Sequence, residues 1–370
     1  MGTETTRFLI IGGGLAGLLL AWRLREHNPI VLGGSSLPPA SDVSAGVLNP
    51  VTGGRLTLMD DYGDYLEAAR QLYRSVPGGA DHFYETTIRR YFVNDLECER
   101  FEERRRLDNY RDYLGPRFAA GEAGPASKDT LGSFLIEGVA RVEPVPILSS
   151  IRKVLGSNFR PVDADWDTFE NRDSMLSLNG IQAEALICCE GVGVVANPLF
   201  RWLPFRPVKG ETLTLHEPAL EDFREIIHHE KWILSLGQNR FRVGSTYRRG
   251  NHRKEGVAAD CRPPVAEPSH EGRDELAKAF RMIFDLKKDS AVVEHKAGIR
   301  PSSRDRIPYV GPHPDHKNLF ILNGLGSKGA LLAPHLTENL ASHLTDGLAL
   351  NPKHDPARMI SRGFAPIGRK

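Results

Sequence analysis

The stretch that most constrains this chain lies at its beginning. Arg7 to Ile11 (R-F-L-I-I) is apolar and partly β-branched, and glycine halts it, the pattern of a short buried strand. Gly12-Gly13-Gly14-Leu15-Ala16-Gly17 follows and satisfies G-x-G-x-x-G. An apolar helical pattern then runs to about His27, where Asn28-Pro29 ends it. A second apolar run, Ile30-Val31-Leu32, completes a strand–helix–strand unit. The glycines serve different ends. Gly12 allows the tight turn, Gly14 lets a pyrophosphate approach the backbone, and Gly17 lets helix and strand pack closely. Leu15, Ala16 and Gly17 open the helix, whose free N–H groups and positive dipole end suit phosphate. The unit predicts dinucleotide binding, the plainer alternative being a glycine-rich turn without function.

One element of the motif is missing. The end of the second strand should carry an acid for the ribose hydroxyls, and this chain has Gly33-Gly34-Ser35-Ser36 there. No arginine stands nearby to receive a 2′-phosphate. Either a serine hydroxyl such as that of Ser35 or backbone groups take the acid's place, or the adenosine end is held weakly.

Composition narrows the class. With 370 residues, 40% hydrophobic and 26% charged, the chain has the profile of a globular protein with room for two domains. A net charge of +1 supports neither a nucleic-acid nor an anionic-membrane partner. Four cysteines are too few and too irregular for a disulfide framework or a zinc site, and Cys188-Cys189 in A-L-I-C-C reads as a pair of buried strand thiols. The N-terminal apolar run is short, broken by glycines and lacks a cleavage pattern, so a cytoplasmic protein is expected. His228-His229 and His313-x-x-His316 read as exposed loop residues, since no third ligand stands at a familiar spacing, and no metal is expected. The run Glu97 to Arg111 reads as a solvated helix with i,i+4 pairs.

Ser44-Ala45-Gly46-Val47-Leu48-Asn49-Pro50, taken with the N-terminal unit, resembles the S-x-A-G-x-x-x-P loop that lies beside the flavin in the D-amino-acid oxidase, glycine oxidase and sarcosine oxidase family of FAD-dependent oxidoreductases. Gly138 to Pro144 resembles its G-x-V-D-P turn, Ala185 to Gly191 its strand ending in A-x-G, and Arg206 to Glu211 its P-x-R-G-Q segment. Gly298-Ile299-Arg300-Pro301 through Gly311 resembles G-x-R-P-x-x-x-D-x-x-P-x-x-G. Asn323-Gly324-Leu325-Gly326-Ser327-Lys328-Gly329, with Ala333-Pro334 after it, resembles the glycine-rich flavin loop before the last helix. Independently of the resemblance, Gly324, Gly326 and Gly329 describe a loop opening a helix, where N–H groups can face an anion.

The resemblance implies FAD as cofactor and a small amine or amino acid that loses hydride from its α-carbon to the flavin. It implies a carboxylate-binding role for Arg300, whose planar fork suits that group; the alternative is a salt bridge to a residue such as Asp305. Lys328 matches the carboxylate-binding lysine of sarcosine-type members, and a solvent-facing lysine is the alternative. Tyr247 could offer its phenol to the substrate or merely fill a domain interface. No acid–base residue is evident. A flavin-binding scaffold without turnover and an oxidase acting on a modified tRNA base remain alternative readings.

The expected architecture is α/β, a Rossmann-like FAD-binding domain with a second, mainly antiparallel α+β domain for the substrate. Because nucleotide motifs occur at the start, middle and end, the FAD domain is expected to be discontinuous: 1–80, 135–205 and 290–370, with 81–134 and 206–289 forming the substrate domain. The stretch 250–272, rich in proline and charge, reads as a long connection or lid. A helix is predicted over Arg273–Leu286, with Leu276, Phe280 and Ile283 on one face.

Overall fold

The computed structural model describes residues 4–34, 39–122, 124, 129–172, 175–249, 266–286 and 290–366. Its α-helices among these are α1 (Leu15–Arg23), α2 (Tyr62–Ser75), α3 (Asp95–Arg104), α4 (Pro144–Leu155), α5 (His270–Phe284) and α6 (Gly329–Asp346).

The strand of the N-terminal unit runs Glu4–Ile11 and lies at the centre of a sheet. It pairs in parallel with Ile30–Leu32 on one side and Ile181–Cys188 on the other. Phe159–Arg160 extends the parallel set beyond Ile30–Leu32, and His316–Asn323 extends it beyond Ile181–Cys188. Helix α1 is apolar all round (L-A-G-L-L-L-A-W), so it can be stable only when covered on every side. It is buried from Ala16 to Trp22, packed against the sheet, α4 and α6.

Helix α6 contains Pro334, which cannot donate to the carbonyl of Ala330 one turn earlier. That buried carbonyl is instead satisfied by the Tyr73 hydroxyl of α2, which donates to it at 2.8 Å. The α6 C-terminus closes on Gly347 in the left-handed region (φ 71), whose N–H bonds the His343 carbonyl at 3.0 Å.

The second large sheet is mostly antiparallel, ordered Arg248–Arg249, Val208–His216, Arg240–Gly244, Lys231–Ser235, Ile226–His229, Phe83–Tyr91, Ser133–Val142, Val47–Leu48. Ala291–Arg300 pairs along Val208–His216, and Leu114–Phe118 along Ser133–Val142. This moves the expected division. Ser133–Val142 and Ala291–Arg300, assigned above largely to the FAD segments, are strands of the second sheet, and the chain changes sheets near residues 143 and 301. Helix α5 covers this sheet with Leu276, Phe280 and Ile283, as its periodicity predicts.

Three other expectations change. The charged run is not one solvated helix: α3 stops at Arg104, and Glu97 turns inward to a buried ion pair with Arg90. The surface pairs that form there include Arg105–Glu102 and Arg111–Asp108, both i,i+3. His228 and His229 end the strand Ile226–His229, and His313 is buried at the end of Tyr309–His313, its Nε2 within 3.0 Å of the Leu199 carbonyl oxygen. Cys188 and Cys189 are buried thiols as expected, and burial raises both pKa values. Most of the expected 250–272 connection lies outside the described residues. No helix among the described residues is long and apolar enough to cross a membrane.

Candidate active site

The three glycines of the N-terminal motif are distinguishable by what surrounds them. A Cβ on Gly12 (φ 119) would fall 2.3 Å from the Cys189 carbonyl oxygen, and one on Gly17 would fall 2.0 Å from the Gly12 carbonyl oxygen. Both are glycine because the protein's own backbone passes there. Gly14 is different: its nearest neighbours would be Pro39 Cβ and Ser41 Oγ, each at 3.9 Å. Among the described residues, nothing comes closer to that face.

Gly14 caps α1 without any side-chain hydrogen bond, so the first-turn N–H groups at Leu15, Ala16 and Gly17 have no side-chain cap. Ser41, on that face, is buried, and its hydroxyl has no hydrogen-bond partner among the described residues. A buried unsatisfied hydroxyl beside an open helix N-terminus fits a phosphate that both would bind.

The loop carrying Ser41 joins this end of the site to the other. Ala40 and Val43 pack on Gly298, where a Cβ would meet Val43 Cγ2 at 3.2 Å. Ser44 and Gly46 shape the loop: Gly46 N donates to Ser44 Oγ at 3.1 Å, and Gly46 (φ 67) crosses the Val142 carbonyl so closely that a Cβ would lie 1.8 Å from its oxygen. Ala45 packs on the cluster around Val51 and Phe134. These three residues position the loop through contacts within the protein.

Gly191, Gly324, Gly326 and Gly329 converge from the other side. Asn323 ties two of them: its Nδ2 donates to the Gly191 carbonyl at 2.9 Å and its Oδ1 accepts from Gly324 N at 2.8 Å. Gly326 N bonds the Pro301 carbonyl at 3.2 Å, directly after Arg300. Gly329 opens α6 against Leu15 of α1, where a Cβ would lie 3.5 Å from Leu15 Cδ2. The two helix N-termini and the end of the Ala291–Arg300 strand therefore meet around one region. Ser327 is exposed there, and Ser35 lies outside the described residues.

Arg300 ends its strand with its guanidinium over the backbone of Gly210, where a Cβ would fall 2.2 Å from Nη2. Any other residue at 210 would displace it. Nη2 donates to Ser245 Oγ at 2.6 Å; both Nη1 and Nη2 make longer contacts to the Thr246 carbonyl (3.4 Å), and Nη1 one to the Lys209 carbonyl (3.5 Å). Thr246 is fully buried and fixed to the neighbouring strand: its Oγ1 accepts from Glu211 N at 2.9 Å and its N–H donates to the Glu211 carbonyl at 3.2 Å. Burial lowers the Arg300 pKa, opposed by Tyr247, but a guanidinium stays charged.

No carboxylate pairs with Arg300 among the described residues. Asp305, the alternative partner, is occupied by Arg358 (3.3 Å) and Arg362 (3.0 Å) instead. Tyr247 is 53% exposed rather than packed in an interface, and its ring lies 5.7 Å from the Arg300 guanidinium carbon. Lys328 is partly buried; burial lowers its pKa while Asp60 opposes the shift.

Sequence reasoning missed Ser41 and the Ser245–Thr246 seat of Arg300, and it placed Asn323 and Gly210 within motifs without giving either a role. It also missed Glu190, beside Gly191, whose carboxyl burial pushes up to about 7 against hydrogen bonds from Asn197 and Trp166. Among the described residues no cluster of His, Cys, Asp or Glu could hold a metal ion.

Residues 7–342 match the DAO family, described as FAD dependent oxidoreductase. The chain belongs to this family. It is an FAD-dependent oxidoreductase enzyme, and the open Gly14 face with its unsatisfied Ser41 hydroxyl is consistent with the cofactor's pyrophosphate. The chain is 24% identical over 356 residues to a glycine oxidase of Bacillus licheniformis, covering 90% of this chain and 91% of that protein. It is 23% identical over 359 residues to the tRNA 5-methylaminomethyl-2-thiouridine biosynthesis bifunctional protein MnmC of Idiomarina loihiensis, covering 92% of this chain but 55% of that one. The fold superposes on the crystal structure of glycine oxidase from Geobacillus kaustophilus with a TM-score of 0.77 at 19% identity, covering 100% of both chains.

Proposed function

We propose that this oxidoreductase oxidises a small amine bearing a carboxylate, an α-amino acid or an N-substituted glycine, at the carbon between the two groups. The observation that carries the reading is Arg300. A largely buried cation whose hydrogen bonds, among the described residues, all go to neutral oxygens is costly to maintain, and a substrate carboxylate would supply the missing counter-charge. When bound, FAD supplies the two-electron acceptor for hydride from the substrate carbon.

The chain's residues do the positioning. Ser245 and Thr246 hold the guanidinium against Gly210, so the fork is oriented before substrate arrives. Tyr247 lies beside it with its ring accessible, and Lys328 at the start of α6 offers a second cation. An amine that arrives uncharged needs no protein base for hydride loss. The likeness to glycine oxidases supports an amino-acid-sized substrate. The partial match to a tRNA-modifying protein favours a nucleic-acid substrate less, because a net charge of +1 offers little phosphate attraction.

Incubation with glycine, sarcosine, proline and D-amino acids tests the reading. At least one should yield the oxo acid and the released amine; a panel that gives no product, with FAD bound, would contradict it.

A further inference from the structure

Gly33 and Gly34 stand bare at the end of the second strand of the nucleotide-binding unit, and the structure gives the reason. A Cβ on Gly33 would fall 2.4 Å from Cε2 of Phe159, and one on Gly34 would fall 2.0 Å from Oδ1 of Asp163. A later segment lies on both positions, so neither can send out a side chain of its own.

That segment begins with Phe159–Arg160, which pairs in parallel with Val31 and Leu32. Gly33 N extends the pairing by donating to the Arg160 carbonyl at 2.7 Å. The chain then runs past the carboxyl ends of the strands, where open α/β sheets bind their ligands. Asp163 lies three residues beyond the strand. Neighbouring Cα atoms are about 3.8 Å apart, so a carboxylate against Gly34 is within side-chain reach of the place where an acid at position 33 would act.

The segment is anchored to the glycine loop and to the sheet. The Phe159 ring also touches the Gly13 position, 3.0 Å from a Cβ there, and lies 5.5 Å from the guanidinium carbon of Arg152, whose Nη2 donates to the Gly13 carbonyl at 2.9 Å. Asn179 Nδ2 donates to the Asp163 carbonyl at 2.9 Å, and its Oδ1 accepts from Asp165 N at 2.8 Å.

We propose that Asp163 is the acid that holds the adenosine ribose of FAD, its carboxylate accepting the hydrogen bonds that the ribose hydroxyls donate. A carboxylate accepts only, and a vicinal diol offers two donors, so the pairing is complementary and charge-assisted. The strand-end acid has moved to a neighbouring segment, and the two glycines are the space it needs.

The test is FAD affinity of the flavin-free protein, read by flavin fluorescence, for wild type and Asp163→Asn, with FAD and its 2′-deoxyadenosine analogue. Asp163→Asn should weaken FAD about ten- to hundredfold, the range for hydrogen bonds to a charged group. Wild type should lose a similar factor on the deoxy analogue, whereas the variant should bind both cofactors equally. Wild type binding FAD and the analogue alike would overturn the proposal, as would a variant that keeps the wild-type FAD affinity. Neither outcome depends on turnover, so failure here is distinct from failure of the substrate reading.

Discussion

Replacing Arg300 by lysine keeps the charge and removes the fork, which separates positioning from simple attraction. Of the hydrogen bonds Arg300 makes, only that to Ser245 Oγ (2.6 Å) is short; those to the Thr246 and Lys209 carbonyls are 3.4–3.5 Å. Long contacts contribute little, so the folded protein should lose only about 1 kcal/mol. Catalysis should suffer more. Truncating one partner of a desolvated charge pair costs about 2–5 kcal/mol, and lysine, still charged, belongs near the lower end. A loss of about 2–3 kcal/mol corresponds to roughly a 30- to 150-fold fall in kcat/KM. The assay is steady-state kinetics alongside flavin content and thermal melting. The fall should appear chiefly in KM, with flavin content unchanged and Tm lower by only a few degrees. Kinetics within about threefold of wild type would refute the carboxylate role, and a collapse of Tm matching the loss of activity would make Arg300 structural.

Tyr73→Phe removes the hydroxyl that satisfies the buried Ala330 carbonyl left open by Pro334; it should cost about 1–3 kcal/mol by denaturant titration, and an unchanged midpoint would contradict that assignment. Gly33→Ala should lower stability by about 1–3 kcal/mol through overpacking on the Phe159 ring, and a neutral effect on Tm would show that the ring yields freely. Glu190 has its carboxyl raised to about 7 in the folded protein, from an ordinary value of 4.5. Between those values the folded state holds a proton the unfolded state has released, so this group's contribution is most favourable below about 4.5 and is lost as pH rises to about 7. Glu190→Gln should therefore flatten the Tm–pH curve across that window; a curve parallel to wild type would contradict the raised value.

The sequence displays the N-terminal unit because its signals are local: an apolar strand, glycines at fixed offsets and an all-apolar helix. Sheet membership is not local. Ser133–Val142 and Ala291–Arg300 neighbour nucleotide motifs along the chain, yet they pair with Phe83–Tyr91 and Val208–His216, segments distant in sequence. Arg300 and Asp305 look like natural partners five positions apart. The chain turns between them, with Ser302 bridged to Leu325 and Ser303 to Phe205, and carries Asp305 away to the arginines of the C-terminal segment. The charged run misleads for a related reason: Glu97 meets Arg90 across an element boundary, which no helical spacing displays. The missing strand-end acid is legible as an absence, but its cause, Phe159 and Asp163 lying on the glycines, exists only in three dimensions.

The most direct test of an amine-oxidising site built around Arg300 is anaerobic mixing of the FAD-loaded protein with matched pairs of amines. One member of each pair bears the carboxylate and the other lacks it, as in sarcosine and dimethylamine. The visible flavin absorbance should bleach with at least one carboxylate-bearing amine and stay unchanged with its partner. Equal bleaching by both members, or none by any amine in the panel, would contradict the assignment of Arg300 as the carboxylate-binding residue of that site.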